Sequence, residues 1–84
     1  MKRQNPHNLP QNEVHRSTED AESLSRLVIA SQATEDRSTL ELLARACFAF
    51  HRAVELTVGP SHPSSRRTEA AWSACADALW PNPS

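Results

Sequence analysis

Cys47, His51, His62 and Cys75 are the side chains of this 84-residue chain whose types could do chemistry together. Thiolate and imidazole are ligands that zinc favours, and a Cys and a His four residues apart share one side of a helix, so they can chelate a single ion. An antiparallel following helix would bring Cys75 toward that pair. The pattern lacks any C-x-x-C knuckle, however. Cys47 also belongs to an apolar stripe, and Cys75 sits among alanines. Buried thiols in a helical core account for both, so no cofactor is expected, and a small zinc-stabilised helical protein stands only as an alternative.

The same residues do not assemble a nucleophile. At this spacing the imidazole has no orienting carboxylate, and no set of oxyanion donors is recognisable. A chain with one glycine has neither a G-x-S-x-G elbow nor a phosphate-cradling loop. Glu35 and Asp36 lie in no apolar context that would raise a carboxyl pKa, and they read as helix-start charges. Catalysis is not expected.

Arg66-Arg67 at the head of the last helix is the basic doublet of the folded part. With the helix before it, the doublet could mimic a helix-turn-helix, which makes a nucleic-acid-binding regulator the second alternative. The connection from Val58 to Ser64 reads as too long for that motif, and the exposed face lacks the Asn, Gln and Lys that contact bases and phosphates. Eight Arg and one Lys are scattered among ten acids, for a net charge of −1. This balance speaks against nucleic acid as the main ligand. The charge is nonetheless uneven: residues 1–16 sum to +2, 17–37 to −3 and the rest to zero.

No stretch approaches the roughly 18 apolar residues of a membrane span, and the first residues lack an apolar signal region. A cytoplasmic location and no membrane partner are the expectations. Two cysteines without a secretory signal fit a reducing compartment. The preference for Arg over Lys and the abundance of Ala point to a GC-rich coding sequence, as in a bacterium or phage.

The expected fold is all-α, a small three-helix module with a flexible N-terminal arm and a short C-terminal tail. Residues 1–16, with Pro6, Pro10, Asn5, Asn8 and Asn12, hold too few apolar side chains to offset the entropy of ordering them and read as the arm. From Ser17 to Val58 there is neither Gly nor Pro, so helix is the economical reading. Ser17 with Asp20, and Ser38 with Glu41, form capping-box patterns, which divide the run into helices at about 18–32 and 38–58. The alternative is one long helix over 18–58 plus a shorter one. Gly59-Pro60 ends the run, a third helix is expected over 64–80, and residues 81–84 form the tail.

At 100° per residue the second helix carries two apolar stripes. Leu40, Leu43, Cys47, Phe50 and Val54 form a stripe of mostly large side chains, expected to be covered partly by the first helix and otherwise by a second copy of the chain. Leu42, Ala46, Ala49, Ala53 and Leu56 form a stripe with small residues at its middle, expected to pack on Ala70, Ala74 and Ala78 of the third helix. Phe48 stands among Arg45, Arg52 and Glu55, which is the composition of an interface anchor with a polar rim, and Trp80 is a second unplaced aromatic. A domain this small buries only about 60% of its unfolded surface, so a partner or a dimer mate is expected. The sequence therefore reads as a non-enzymatic protein-interaction module: a regulator, an adaptor or an inhibitor of a larger complex.

Overall fold

Glycine or proline marks four of the six helix ends in the computed structural model, which describes residues 10–81. The chain forms α1 (Gln11–Ala30), α2 (Arg37–Val58) and α3 (Pro63–Leu79), and no strand occurs among the described residues. The single long helix does not form. Residues 31–36 break the run, and Asp36 starts α2 by accepting a hydrogen bond from the Thr39 amide at 2.9 Å. Gly59 ends α2 at φ +90°, a region closed to most L side chains, and its amide closes on the Glu55 carbonyl.

Three helix starts differ from the sequence reading. Residues 11–16, expected in the arm, are helical, while 1–9 lie outside the described residues, as do 82–84 of the expected tail. The carbonyl of Pro10 accepts from the amides of Glu13 and Val14, so the helix starts there and Ser17 is buried inside it rather than capping it. Asp36 replaces Ser38 as the α2 cap, because an anionic oxygen two residues earlier reaches the free amides first. Glu41, expected in that capping box, instead pairs with Arg37 at 3.0 Å. His62 caps α3 through Nδ1, which accepts from the Ser64 amide at 3.0 Å, and Pro63 takes the first helical position, where its missing N–H costs nothing.

The helices pack as an up-down-up bundle. Buried positions alternate by four and three residues along α1 (Val14, Thr18, Ala21, Ser25, Val28) and along α2 (Leu40, Ala44, Cys47, His51, Val54). This is the spacing of a coiled-coil seam. On α3 the seam is Ser65, Thr68, Ala71, Cys75 and Leu79. Almost every core position is small. Among side chains wholly removed from solvent, valine is the largest. Narrow side chains let helix axes approach closely, and the buried hydroxyls are satisfied nearby: Thr18 donates to the Val14 carbonyl at 2.7 Å and Ser65 to the Gly59 carbonyl at 2.6 Å.

The two stripes of α2 exchange their expected roles. Leu40, Cys47 and Val54 are buried in the monomer's own core, and Leu43 and Phe50 pack against its edge. The Leu42, Ala46, Ala49, Ala53, Leu56 stripe does not seat on α3. Ala49 is exposed, Ala46 and Ala53 are half-buried, and Ala70 on α3 is exposed too. What buries against α3 is the Ala44, Cys47, His51 side of α2, which meets Thr68, Ala71 and Cys75. The inter-helix fit there excludes large side chains, while the other stripe can hold leucines only by facing outward.

Two tests follow from this packing. Ala44→Leu places three extra heavy atoms in a seam with no room for them and should cost about 1–3 kcal/mol, read as a lower urea midpoint, whereas Ala70→Leu on the exposed face should change stability by less than about 0.5 kcal/mol. A second test concerns the ion pair between α1 and α3. Arg67 donates through Nη2 and Nε to the two oxygens of the Glu22 carboxylate, at 2.6 and 3.0 Å, and this hydrogen bonding holds the Glu22 carboxyl below its ordinary 4.5. A lowered folded-state pKa gives stability that is complete above that ordinary value and lost as pH falls through the lowered one. The pair is mostly solvated, so the loss should be about 0.2–1 kcal/mol and should vanish in Glu22→Gln. Urea titrations at pH 6 and pH 3 measure it.

Candidate functional site

Four residues that the sequence leaves scattered converge along the groove between α2 and α3. Phe48 on α2 lies against Trp72 on α3 with ring centroids 4.9 Å apart and planes inclined by 54°. Trp72 in turn lies 6.4 Å from Trp80, and the Arg37 guanidinium sits over the Trp80 ring at 5.9 Å. Such inclined pairs and a cation over a ring are the favoured geometries of aromatic quadrupoles. Arg37 also donates to the Leu79 carbonyl, which ties the start of α2 to the end of α3.

Placing this row requires antiparallel helices with matched levels. His51 opposite Thr68, Cys47 opposite Cys75 and Arg37 opposite Leu79 show that α2 and α3 run alongside each other over their whole lengths. Trp72 and Trp80, about two turns apart, then fall on the same side of α3. Phe48 is 40% exposed and Trp80 43%, whereas Trp72 is half-buried against the core. Arg45, Arg52 and Glu55 flank the row on α2. Arg52 and Glu55 pair at 2.7 Å, and Arg45 is exposed with no ion pair among the described residues. Of the residues singled out from the sequence, Phe48 and Trp80 are thus linked through Trp72, which the sequence reading did not single out. The missed members are Trp72 and Arg37. The signal for Trp72 is its spacing from Trp80, and for Arg37 only the register of the two helices could reveal it.

The chemistry-bearing residues are distributed quite differently. Cys47 is fully buried and its thiol donates to the Ala21 carbonyl at 3.4 Å. Burial first, and the adjacent Cys75 second, push the Cys47 thiol up to about 12, far from a nucleophilic or ligating thiolate. His51 is buried with Nδ1 2.9 Å from the Thr68 hydroxyl, which itself donates to the Ser65 carbonyl at 3.0 Å. With the hydroxyl proton committed there, Nδ1 becomes the donor of the imidazole. His62 is engaged in capping α3 at the far end of the bundle. No group of three or more His, Cys, Asp or Glu side chains that could hold a metal ion occurs among the described residues.

The helix-turn-helix geometry is also absent. The connection between α2 and α3 is four residues, 59–62, shorter than the sequence suggested, yet the two helices lie side by side rather than at the steep crossing that motif needs. Arg67 is occupied by Glu22, which leaves Arg66 as the exposed half of the basic doublet. No protein-family model, curated protein or solved structure matches this chain.

Both thiols should be silent toward Ellman's reagent in the folded chain and should react to two equivalents per chain once guanidinium unfolds it. Rapid native labelling would show instead that the middle of the bundle opens to solvent.

Proposed function

We propose that this chain is a non-enzymatic protein-interaction module that binds another protein through the Phe48, Trp72, Trp80 row, acting as a regulator, an adaptor or an inhibitor of a larger complex. The observation that carries this reading is the inverted distribution of side-chain size. The core is built from Ala, Ser, Thr, Cys and Val with a few leucines, while Leu27, Ile29, Leu42, Phe48, Leu56 and Trp80 stand in solvent. Exposed aromatics are costly to keep wet, and they are the residues that anchor interfaces.

In this reading Phe48 and Trp80 supply the desolvated centre, held in place by Trp72 beneath them. Arg45, Arg52 and Glu55 form the rim and exclude partners of the wrong charge pattern. The partner is then a surface offering an apolar ridge or pocket with a mixed-charge border. No helix among the described residues is long and apolar enough to cross a membrane. A cytoplasmic setting with reduced thiols belongs to the same proposal.

Affinity capture from lysate with the wild-type chain and Phe48→Ser side by side tests it. The variant should keep its far-ultraviolet dichroism, because Phe48 is outside the seam, yet lose a protein that the wild type retains. If both baits retain the same set, or neither retains anything, the aromatic row is not the contact surface.

A further inference from the structure

The other side of α2 carries a second surface, chemically unlike the aromatic row. All five charged residues of α2, namely Arg37, Glu41, Arg45, Arg52 and Glu55, fall within an arc of about 80° on the α3 side. The arc facing away from α3 holds Leu42, Ala46, Ala49, Phe50, Ala53 and Leu56 without a single charge. It is open to solvent: Leu42 is 64% exposed and Leu56 60%. It continues onto α1, where Leu24 and Leu27 with Phe50 border a shallow hollow of about 290 Å³ that Asp20 and Ser23 also line. A solvent-facing helix normally spreads its charges over that face.

We infer that this face is the interface with a second copy of the chain, α2 packing antiparallel on α2 about a two-fold axis between Ala46 and Ala53. Three observations select that occupant. The order Leu, Ala, Ala, Ala, Leu at 42, 46, 49, 53 and 56 is the same in both directions, so an isologous pairing sets Ala46 against Ala53 of the partner copy and frames the alanine contact with leucines at both ends. The small central residues permit close approach of the two helix axes. Because the charges of α2 lie outside this arc, the α2–α2 contact itself buries none of them; Asp20 of α1, at the rim of the hollow, is the charge nearest to it. The area also suffices. At 1.5 Å per residue α2 is about 33 Å long, and the bundle is 25 Å across. A stable interface needs about 800 Å² per partner, within reach of a face of that size. The aromatic row remains outside this contact, so the dimer and the binding of another protein are separate propositions.

Sedimentation equilibrium of the full chain over a concentration series, with Ala49→Glu, Leu42→Glu and Phe48→Ser beside it, decides the matter. The wild type should reach twice the 9.3 kDa chain mass. Ala49→Glu should remain helical, since Ala49 is exposed in the monomer, and should raise the dimer dissociation constant about 100-fold or more by forcing a charge into the interface. Leu42→Glu should do the same, and Phe48→Ser should leave the dimer intact. Orientation is read by mixing Ala46→Cys and Ala53→Cys chains under oxidation, where the mixed disulfide should outpace either self-disulfide. A folded wild-type monomer up to about 1 mM overturns the inference. So does a dimer that survives both glutamates, or one that Phe48→Ser dissolves instead. Phe48-dependent capture of another protein can still succeed in each of those cases.

Discussion

The seam between the three helices admits only small side chains, and the rest of the molecule follows from that constraint. Ala21, Ala44, Cys47, Ala71 and Cys75 make its middle, Val28, Leu40 and Leu79 close the end beside the α1–α2 link, and Thr18, His51, Ser65 and Thr68 occupy the end near Gly59. Helices held this close gain van der Waals contact along their length but remove little apolar area per residue from water. The chain therefore has a thin core for its size and leaves Leu27, Ile29, Leu42, Phe48, Leu56 and Trp80 on the outside.

The polar end of the seam works because each hydroxyl finds an acceptor nearby. Thr18 and Ser65 bond to backbone carbonyls, and the His51–Thr68 pair joins α2 to α3 in a linkage whose geometry no apolar pair would define. No buried side-chain nitrogen or oxygen among the described residues is left without a partner. Directional bonds of this sort specify register, which matters in a seam of alanines that offers few knobs to prevent sliding. Arg37 reaching the Leu79 carbonyl ties α2 to α3 a second time, and Arg67 reaching Glu22 ties α3 to α1, both from the surface.

The outside is divided accordingly. One flank of α2 carries every charge of that helix and a row of inclined rings, and the other carries leucines, alanines and Phe50 without a charge. These flanks suit different occupants. The aromatic flank offers a few large anchors with a polar border, the arrangement of a selective and separable contact, whereas the uncharged flank offers uniform shape that a copy of itself can match. Cys47 and Cys75, which the sequence offers as the most reactive side chains, are shielded between these flanks and take part in neither.

The helical class, the break between α1 and α2 and the stop at Gly59 were legible in the sequence, because they depend on local physics: hydrophobic period, absence of breakers over Ser17–Val58, and a glycine free to take positive φ. The two stripes of α2 and the oddity of Phe48 were legible for the same reason. Which stripe turns inward was not. Matching the Ala46, Ala49, Ala53 stripe to the alanines of α3 fails here because the neighbouring helices present Ser, Thr, Ala and Cys, which draw α2 in by its Ala44 and Cys47 side and turn Leu40 and Val54 inward with it. Arg37 joined the aromatic row only through the level at which α3 lies beside α2, a long-range register that no local pattern encodes. Residues 11–16 extend α1 to the level of Thr57 and Val58 at the far end of α2, where Val14 is buried, a juxtaposition of segments more than forty residues apart in the chain. Periodicity along the chain thus determined the helices and their candidate faces; close packing between distant segments decided which faces remain for a partner.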